Sequence, residues 1–319
     1  MVERVVYVLG AGASFDAGGP LIKDFFSDES ERSARVHSEY FDGDEKYSAL
    51  KAVYDDWAKI TQNPNVEGFF KKVEFYDTIN KDFEDPRKGE LIKPGTLKRW
   101  LEWYIAAYVR NSVARQRNPP QYYQQFAGSL KGWGMRYSVI TFNYDLVLER
   151  AIIGERRSVD YKLGQIGKTY SSGIPFLKLH GSLNWVYCPD CGRWEIYEEP
   201  VGHKYNRMAC TRKCGGYKER LIVPPNPSKG EYLGVLNELW RKADRLLSQA
   251  DEIVIIGYSL PEIDISAREL LVDSVREVER FEIVNSNPGA LQSVARRLGR
   301  TSDTPVPRTF KDYVTAICS

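Results

Sequence analysis

The run Val5-Val6-Tyr7-Val8-Leu9-Gly10-Ala11-Gly12-Ala13-Ser14 reads as an apolar strand that breaks at a glycine turn. Consecutive apolar residues mark a strand buried on both faces, as in parallel sheets. Glycine at the carboxyl end of such a strand lets backbone amides approach a pyrophosphate, and the helix that follows supplies partial positive charge. Gly10, Ala11, Gly12 and Ser14 are therefore candidate cofactor-binding positions. Phe15 stands where the common dinucleotide fingerprint has its third glycine, so the turn also fits a purely structural role. Asp16-Ala17-Gly18-Gly19-Pro20 supplies a second turn, which is expected to return over the bound ligand.

Outward from this stretch, further strands are expected at Ser138 to Phe142, Phe176 to Leu179, Ile253 to Gly257 and Phe281 to Val284. Helical spacing runs through Leu97, Leu101, Tyr104 and Tyr108, through Leu236, Leu239, Ala243 and Leu247, and through Ile263, Ala267, Leu271 and Val275. The alternation predicts an α/β fold with a Rossmann-like parallel sheet. A parallel crossover needs only about a dozen residues, so the far longer separation of the first two strands implies an inserted helical module at 21–135. Its Trp and Tyr residues are expected to pack between its helices, and its Lys and Arg to form a solvated face. The chain is expected to be a single domain over 1–319. Its Rossmann core occupies about 1–20, 136–185 and 222–319, and a cysteine-bearing insert covers 186–221.

Small and polar groups stand beyond the strand ends, where open α/β sheets bind ligands. Thr141-Phe142-Asn143-Tyr144-Asp145 follows the second strand. Asn143 and Asp145 face the glycine turn on this reading, and either one also fits the cap of the helix starting near Leu146. His180, in Leu179-His180-Gly181-Ser182, is a candidate general base, one of three histidines with His37 and His203. Gly257 and Ser259 after the fourth strand suit a ribose or phosphate, and Asn285 after the fifth suits an adenosine ribose.

Cys188-Pro189-Asp190-Cys191 and Cys210-Thr211-Arg212-Lys213-Cys214 make up four of the five cysteines. Two close cysteine pairs supply four thiolates in a tetrahedron, the arrangement of closed structural zinc sites. His203 is a possible substitute ligand that four cysteines make unnecessary. With every position filled by protein, the expected zinc is structural.

The net charge of +2 with 28% charged and 42% apolar residues argues for neither nucleic acid nor an acidic membrane as partner. The Val5–Leu9 run is too short for the apolar region of a signal peptide, and no apolar run spans a bilayer. A cytoplasmic location is expected.

The order of these motifs resembles the sirtuin family across nearly the whole chain. Gly10 to Ser14, with Gly19-Pro20 and Asp24-Phe25, is similar to the family's cofactor loop. Thr141-Phe142-Asn143-Tyr144-Asp145 is similar to its Thr-Gln-Asn-x-Asp motif, Leu179-His180-Gly181 to its histidine motif, and Gly257-Tyr258-Ser259 and Asn285 to its late ribose contacts. The resemblance implies NAD as substrate. Gly10 to Ser14 would hold the pyrophosphate, Asn143 and Asp145 the nicotinamide and its ribose, His180 would be the base, and Ser259 and Asn285 would hold the adenosine half.

The departures are specific. Phe142 replaces the glutamine, Asp24-Phe25-Phe26 lacks the arginine, and Lys229-Gly230-Glu231 stands where an acyl-peptide channel is built. The chain therefore resembles the divergent bacterial sirtuin-like branch that hydrolyses NAD in anti-phage defence. An NAD glycohydrolase is expected, with a homo-oligomer or a defence partner protein. A protein deacylase and a non-catalytic NAD or ADP-ribose sensor are the alternatives.

Overall fold

The computed structural model describes residues 3–30, 44–114, 120–131, 135–155, 158–161, 173–201, 208–212, 214–223, 230–304 and 306–319. His37, His203 and Pro224 to Lys229 lie outside the described residues.

In chain order the strands are β1 (Glu3–Leu9), β2 (Phe83–Glu84), β3 (Leu91–Ile92), β4 (Met135–Thr141), β5 (Val159–Asp160), β6 (Ile174–Lys178), β7 (Gly181–Tyr187), β8 (Trp194–Ile196), β9 (Glu219–Ile222), β10 (Glu252–Ile256) and β11 (Arg280–Val284). The α-helices are α1 (Asp44–Lys59), α2 (Val66–Thr78), α3 (Pro94–Ala114), α4 (Gln121–Ser129), α5 (Val147–Gly154), α6 (Gly230–Ser248), α7 (Ile265–Glu277), α8 (Pro288–Leu298) and α9 (Phe310–Cys318).

The chain divides into two compact units, one of residues 1–19, 116–182 and 228–319 and the other of residues 20–115 and 183–227. The first is a six-stranded sheet in the order β11-β10-β1-β4-β6-β5. Its paired strands run parallel throughout. Val5 to Leu9, Ile253 to Ile256 and Val139 to Ile140 are all buried, which accounts for their unbroken apolar runs. Helices cover the sheet in two mutually packed groups, α4 with α5 and α9, and α6 with α7 and α8. Phe126 of α4 and Tyr313 of α9 meet Tyr7 edge-on, at 4.9 and 6.3 Å between ring centres. Helix α4 thus belongs with the sheet, although its sequence position is inside the expected 21–135 module.

The second unit combines the rest of that insert with the cysteine-bearing segment. Its core is aromatic. Phe26 stacks on Tyr54 at 3.8 Å and on Tyr104 at 4.6 Å, and Phe69 meets Tyr54 edge-on at 5.3 Å. The buried Tyr104 hydroxyl donates to Ser30 Oγ at 2.8 Å and accepts from the Phe26 amide. The aromatic spacing therefore serves helix packing, as expected. The antiparallel β2–β3 pair is an addition, since two-residue strands leave no periodicity to read. No helix of the described residues is long and apolar enough to cross a membrane.

Candidate active site and cysteine cluster

Strand order converts distant sequence motifs into neighbours. Leu9 pairs with Ile256 on one side and with Thr141 on the other, and Thr141 pairs with Lys178. The carboxyl ends of β11, β10, β1, β4 and β6 therefore present Asn285, Gly257 with Ser259, Gly10, Asn143 and His180 in that order along one edge. This is the edge where ligands enter open α/β sheets.

Residues Ala11–Ala17 form a 3-10 helix after Gly10. Its glycines are explained by close packing on the turn after β10. A Cβ on Gly10 would sit 2.5 Å from Tyr258 Cα, and one on Gly12 would sit 2.8 Å from Gly257 Cα. The Gly10 amide donates to the Ile256 carbonyl at 3.0 Å, and the Gly12 amide to the Gly257 carbonyl at 2.8 Å. These two amides anchor the loop to the sheet, so a pyrophosphate would have to use other donors of the turn. Gly257 itself has φ 61°, a left-handed conformation suited to glycine. The Gly19 amide closes the second turn onto the Ser14 carbonyl at 2.8 Å. The expected continuation of the cofactor loop, Asp24-Phe25-Phe26, lies in the second unit, where Phe26 is core.

Asn143 and Asp145 take different partners. The Asp145 carboxylate accepts from the Val147 amide at 2.9 Å, a local turn just ahead of α5 whose N-cap is Leu146, and is only 7% exposed. Asn143 turns the other way and donates to the Gly10 carbonyl at 2.8 Å and to Ser14 Oγ at 3.1 Å. It is half-buried and clamps the glycine turn to the end of β4. Beneath them, Lys178 is fully buried and donates to the Asp145 carbonyl and, at 2.6 Å, to Glu149 Oε1. Burial pushes the Glu149 carboxyl above the usual carboxylate range, against the pull of Lys178.

His180 is 5% exposed, with Nε2 3.1 Å from Asp264 Oδ2. The edge of Phe142 meets its ring at 4.9 Å, and Tyr144 is 6.4 Å away on centroids. Phe142 in turn stacks on Tyr258 at 4.3 Å. Gly181 follows with φ 81°, the reason glycine succeeds the histidine. Asp264 and Lys178 were missed by sequence reasoning, and Phe142 and Tyr258 entered it only as members of quoted motifs, without a role. Only Asp264 carries a readable signal, the Pro-x-x-Asp start of α7, and that signal points to a cap.

Ser259 is exposed just past β10. Asn285 uses its Oδ1 to accept from the Asn287 amide at 2.9 Å, so its side chain is engaged in a local turn.

In the second unit, the Sγ atoms of Cys188, Cys191, Cys210 and Cys214 all lie within 4.8 Å of one another. Cys188 and Cys214 are 3.6 Å apart, and Cys191 and Cys210 are 3.5 Å apart. Tetrahedral Zn–S bonds of about 2.3 Å place sulfurs about 3.8 Å apart, whereas a disulfide requires about 2.05 Å. The donor set and its geometry fit a closed structural zinc site. Gly192 and Gly215 adopt φ 66° and 89° beside the thiols. A Cβ on Gly216 would fall 2.9 Å from Cys188 Sγ, so the cradle requires glycine there.

No curated relative matches the sequence at a significant level. Solved structures with similarity to the chain include a Sir2 homologue mutant in complex with ADP-ribose, with 17% identity and a TM-score of 0.48 over 99% of this chain and 90% of that one. A Sir2 homolog–NAD complex gives 17% identity and a TM-score of 0.46 over 99% and 88%. Sir2Tm bound to a propionylated peptide gives 16% identity and 0.43 over 98% and 91%. Residues 137–280, which carry Asn143, Asp145, His180, the four cysteines, Gly257 and Ser259, match the family model of the SIR2-like domain.

Proposed function

We propose that the chain binds NAD along the carboxyl edge of its parallel sheet and hydrolyses the nicotinamide–ribose bond, releasing nicotinamide and ADP-ribose. The match of residues 137–280 to the SIR2-like domain supports NAD as the substrate, because the matched stretch contains Asn143 and His180. The observation that carries hydrolysis is the burial of His180, 5% exposed, with the Phe142 ring 4.9 Å from its own, Tyr144 6.4 Å away and Asp264 Oδ2 3.1 Å from Nε2. A base so little exposed is reached more readily by a small nucleophile than by an acyl-lysine side chain.

In the proposed reaction the C–N bond breaks first, with its electron pair leaving on nicotinamide, and the ribose acquires oxocarbenium character. Water then bonds to the anomeric carbon and loses a proton to His180. Asn143 orients the ribose or the water from its place on the glycine turn. Asp145 acts behind it by holding the start of α5. Gly10 to Ser14 hold the pyrophosphate side, with Ser259 and Asn285 toward the adenosine half. An anti-phage role, with a homo-oligomer or a defence partner protein controlling the enzyme, belongs to the same reading.

The test is chromatography of NAD incubated with the purified chain, with and without an acetyl-lysine peptide, beside His180→Ala. The expected products are nicotinamide and ADP-ribose without peptide, and neither with His180→Ala. Acetylated ADP-ribose formed only with peptide would replace hydrolysis by deacylation. Tight NAD binding without turnover would make the chain a sensor.

A further inference from the structure

Asp264 is 1% exposed and uses its two carboxylate oxygens for different tasks. Oδ1 accepts from the Ala267 amide at 3.3 Å and caps α7. Oδ2 accepts from the Tyr258 hydroxyl at 2.6 Å and lies 3.1 Å from His180 Nε2. The Asp264 amide also donates to the Pro261 carbonyl at 3.0 Å. The carboxylate is thereby held by two hydrogen bonds, and the residue's backbone by a third, before it meets the imidazole. Tyr258 is held as well, since Phe142 stacks on it with 15° between ring planes. The same Phe142 crosses the His180 ring at 64°, which fixes the plane of the imidazole.

An ionised carboxylate only accepts hydrogen bonds. With Asp264 ionised, the nitrogen 3.1 Å from its Oδ2, Nε2, carries the proton, and Nδ1 becomes the basic nitrogen. We propose that Asp264, steadied by Tyr258, is the positioning residue that sets the tautomer of His180, so that Nδ1 takes the proton from the attacking water. This rests on the hydrolase reading given above. When His180 accepts that proton it becomes a cation in a nearly buried place, and Asp264 is the adjacent counter-charge. The carboxylate keeps its own charge throughout, and the proton leaves His180 from Nδ1 to solvent after product release. The division of labour follows the general logic of an acid that orients a histidine base. The cap on α7 is a separate task of the same side chain, and asparagine performs it equally well.

That separation makes Asp264→Asn informative. The full-length variant should melt like the parent chain and bind ADP-ribose within about threefold of it. Its kcat for NAD should fall about 10²- to 10⁴-fold, the range typical of a lost general base, with KM little changed. The amide would donate toward Nε2 and turn the imidazole to its Nδ1–H form. Nitrogen-15 shifts of the His180 ring report this directly, and with three histidines in the chain the signal is assignable by comparison with His180→Gln. Tyr258→Phe keeps the stack on Phe142, removes one tie to Oδ2, and should lower kcat about tenfold.

The NMR readout needs no turnover, so it stands even if the chain proves not to cleave NAD. A His180 ring protonated at Nε2 in the parent and at Nδ1 in Asp264→Asn supports the proposal. The same tautomer in both, or an unchanged kcat in a folded Asp264→Asn chain that cleaves NAD, overturns it. Should Asp264→Asn not fold, a parent ring protonated at Nδ1, or an unaltered kcat in Tyr258→Phe, overturns it equally.

Discussion

Asn143 donates its side-chain amide to the carbonyl oxygen of Gly10 at 2.8 Å, across 133 positions of sequence. The bond ties together the turns that follow two adjacent strands, and a second bond to Ser14 Oγ extends it along the glycine loop. One side chain thus sets the shape of the loop and remains at the edge where a ribose would lie.

Asn143→Ala should therefore lose activity out of proportion to stability. Two part-buried hydrogen bonds at about 1 kcal/mol each predict a melting shift of a few degrees. On the proposed reaction, removing this polar group predicts a fall of about 10²- to 10³-fold in nicotinamide release. Chromatographic rates beside a thermal melt decide this. A variant that keeps its activity would remove Asn143 from the reaction.

The glycine turn should resist even one added methyl group. A Cβ on Gly257 would lie 2.3 Å from the Ala13 amide nitrogen, at a left-handed φ of 61°. Overpacking of this kind costs about 1–3 kcal/mol, with the left-handed backbone adding to it. Gly257→Ala should lower the urea midpoint more than Gly12→Ala, and both should weaken ADP-ribose binding by calorimetry. Wild-type binding in both would separate the loop from the ligand.

The cysteine cluster predicts one bound zinc ion per chain by metal analysis of the purified protein. Structural zinc contributes on the order of 10 kcal/mol to the fold that holds it. Chelation, or Cys188→Ser, should unfold the segment around β8 and β9, seen as faster proteolysis there. A chain that loses its zinc and keeps its protease resistance would contradict a structural role.

Lys178 and Glu149 form a buried ion pair at 2.6 Å behind the active edge. Removing one partner leaves an uncompensated charge and costs about 3–5 kcal/mol, whereas replacing both by apolar residues is often neutral. Lys178→Met should be strongly destabilised in denaturant melts. Lys178→Met with Glu149→Leu should recover most of that loss. On the proposed hydrolysis of NAD, the recovered double variant should still be slower, because Lys178 also donates to the Asp145 carbonyl.

The sequence by itself determined what depends on short spacing. Five sheet strands were legible because each is a short, mainly apolar run, and each observed strand lies within a few residues of its expectation. The cysteine pairs were legible because the members of each pair stand only three or four positions apart. Asn143 and His180 were legible because they stand immediately beyond strands, where polar groups are otherwise unneeded. Tertiary structure alone decided which polar groups meet. Asp264 reaches His180 only because β10 and β6 end on the same edge of one sheet. Lys178 reads as a strand residue until the fold buries it against Glu149. Neither Asn143 nor Asp145 proved to be the N-cap of α5, which is Leu146; Asn143 reaches the glycine turn and Asp145 closes a local turn, a difference of side-chain direction that spacing does not encode. Helix α4 carries no mark in its own pattern of which core it joins. Periodicity reports that a face is buried, and strand order determines what it is buried against.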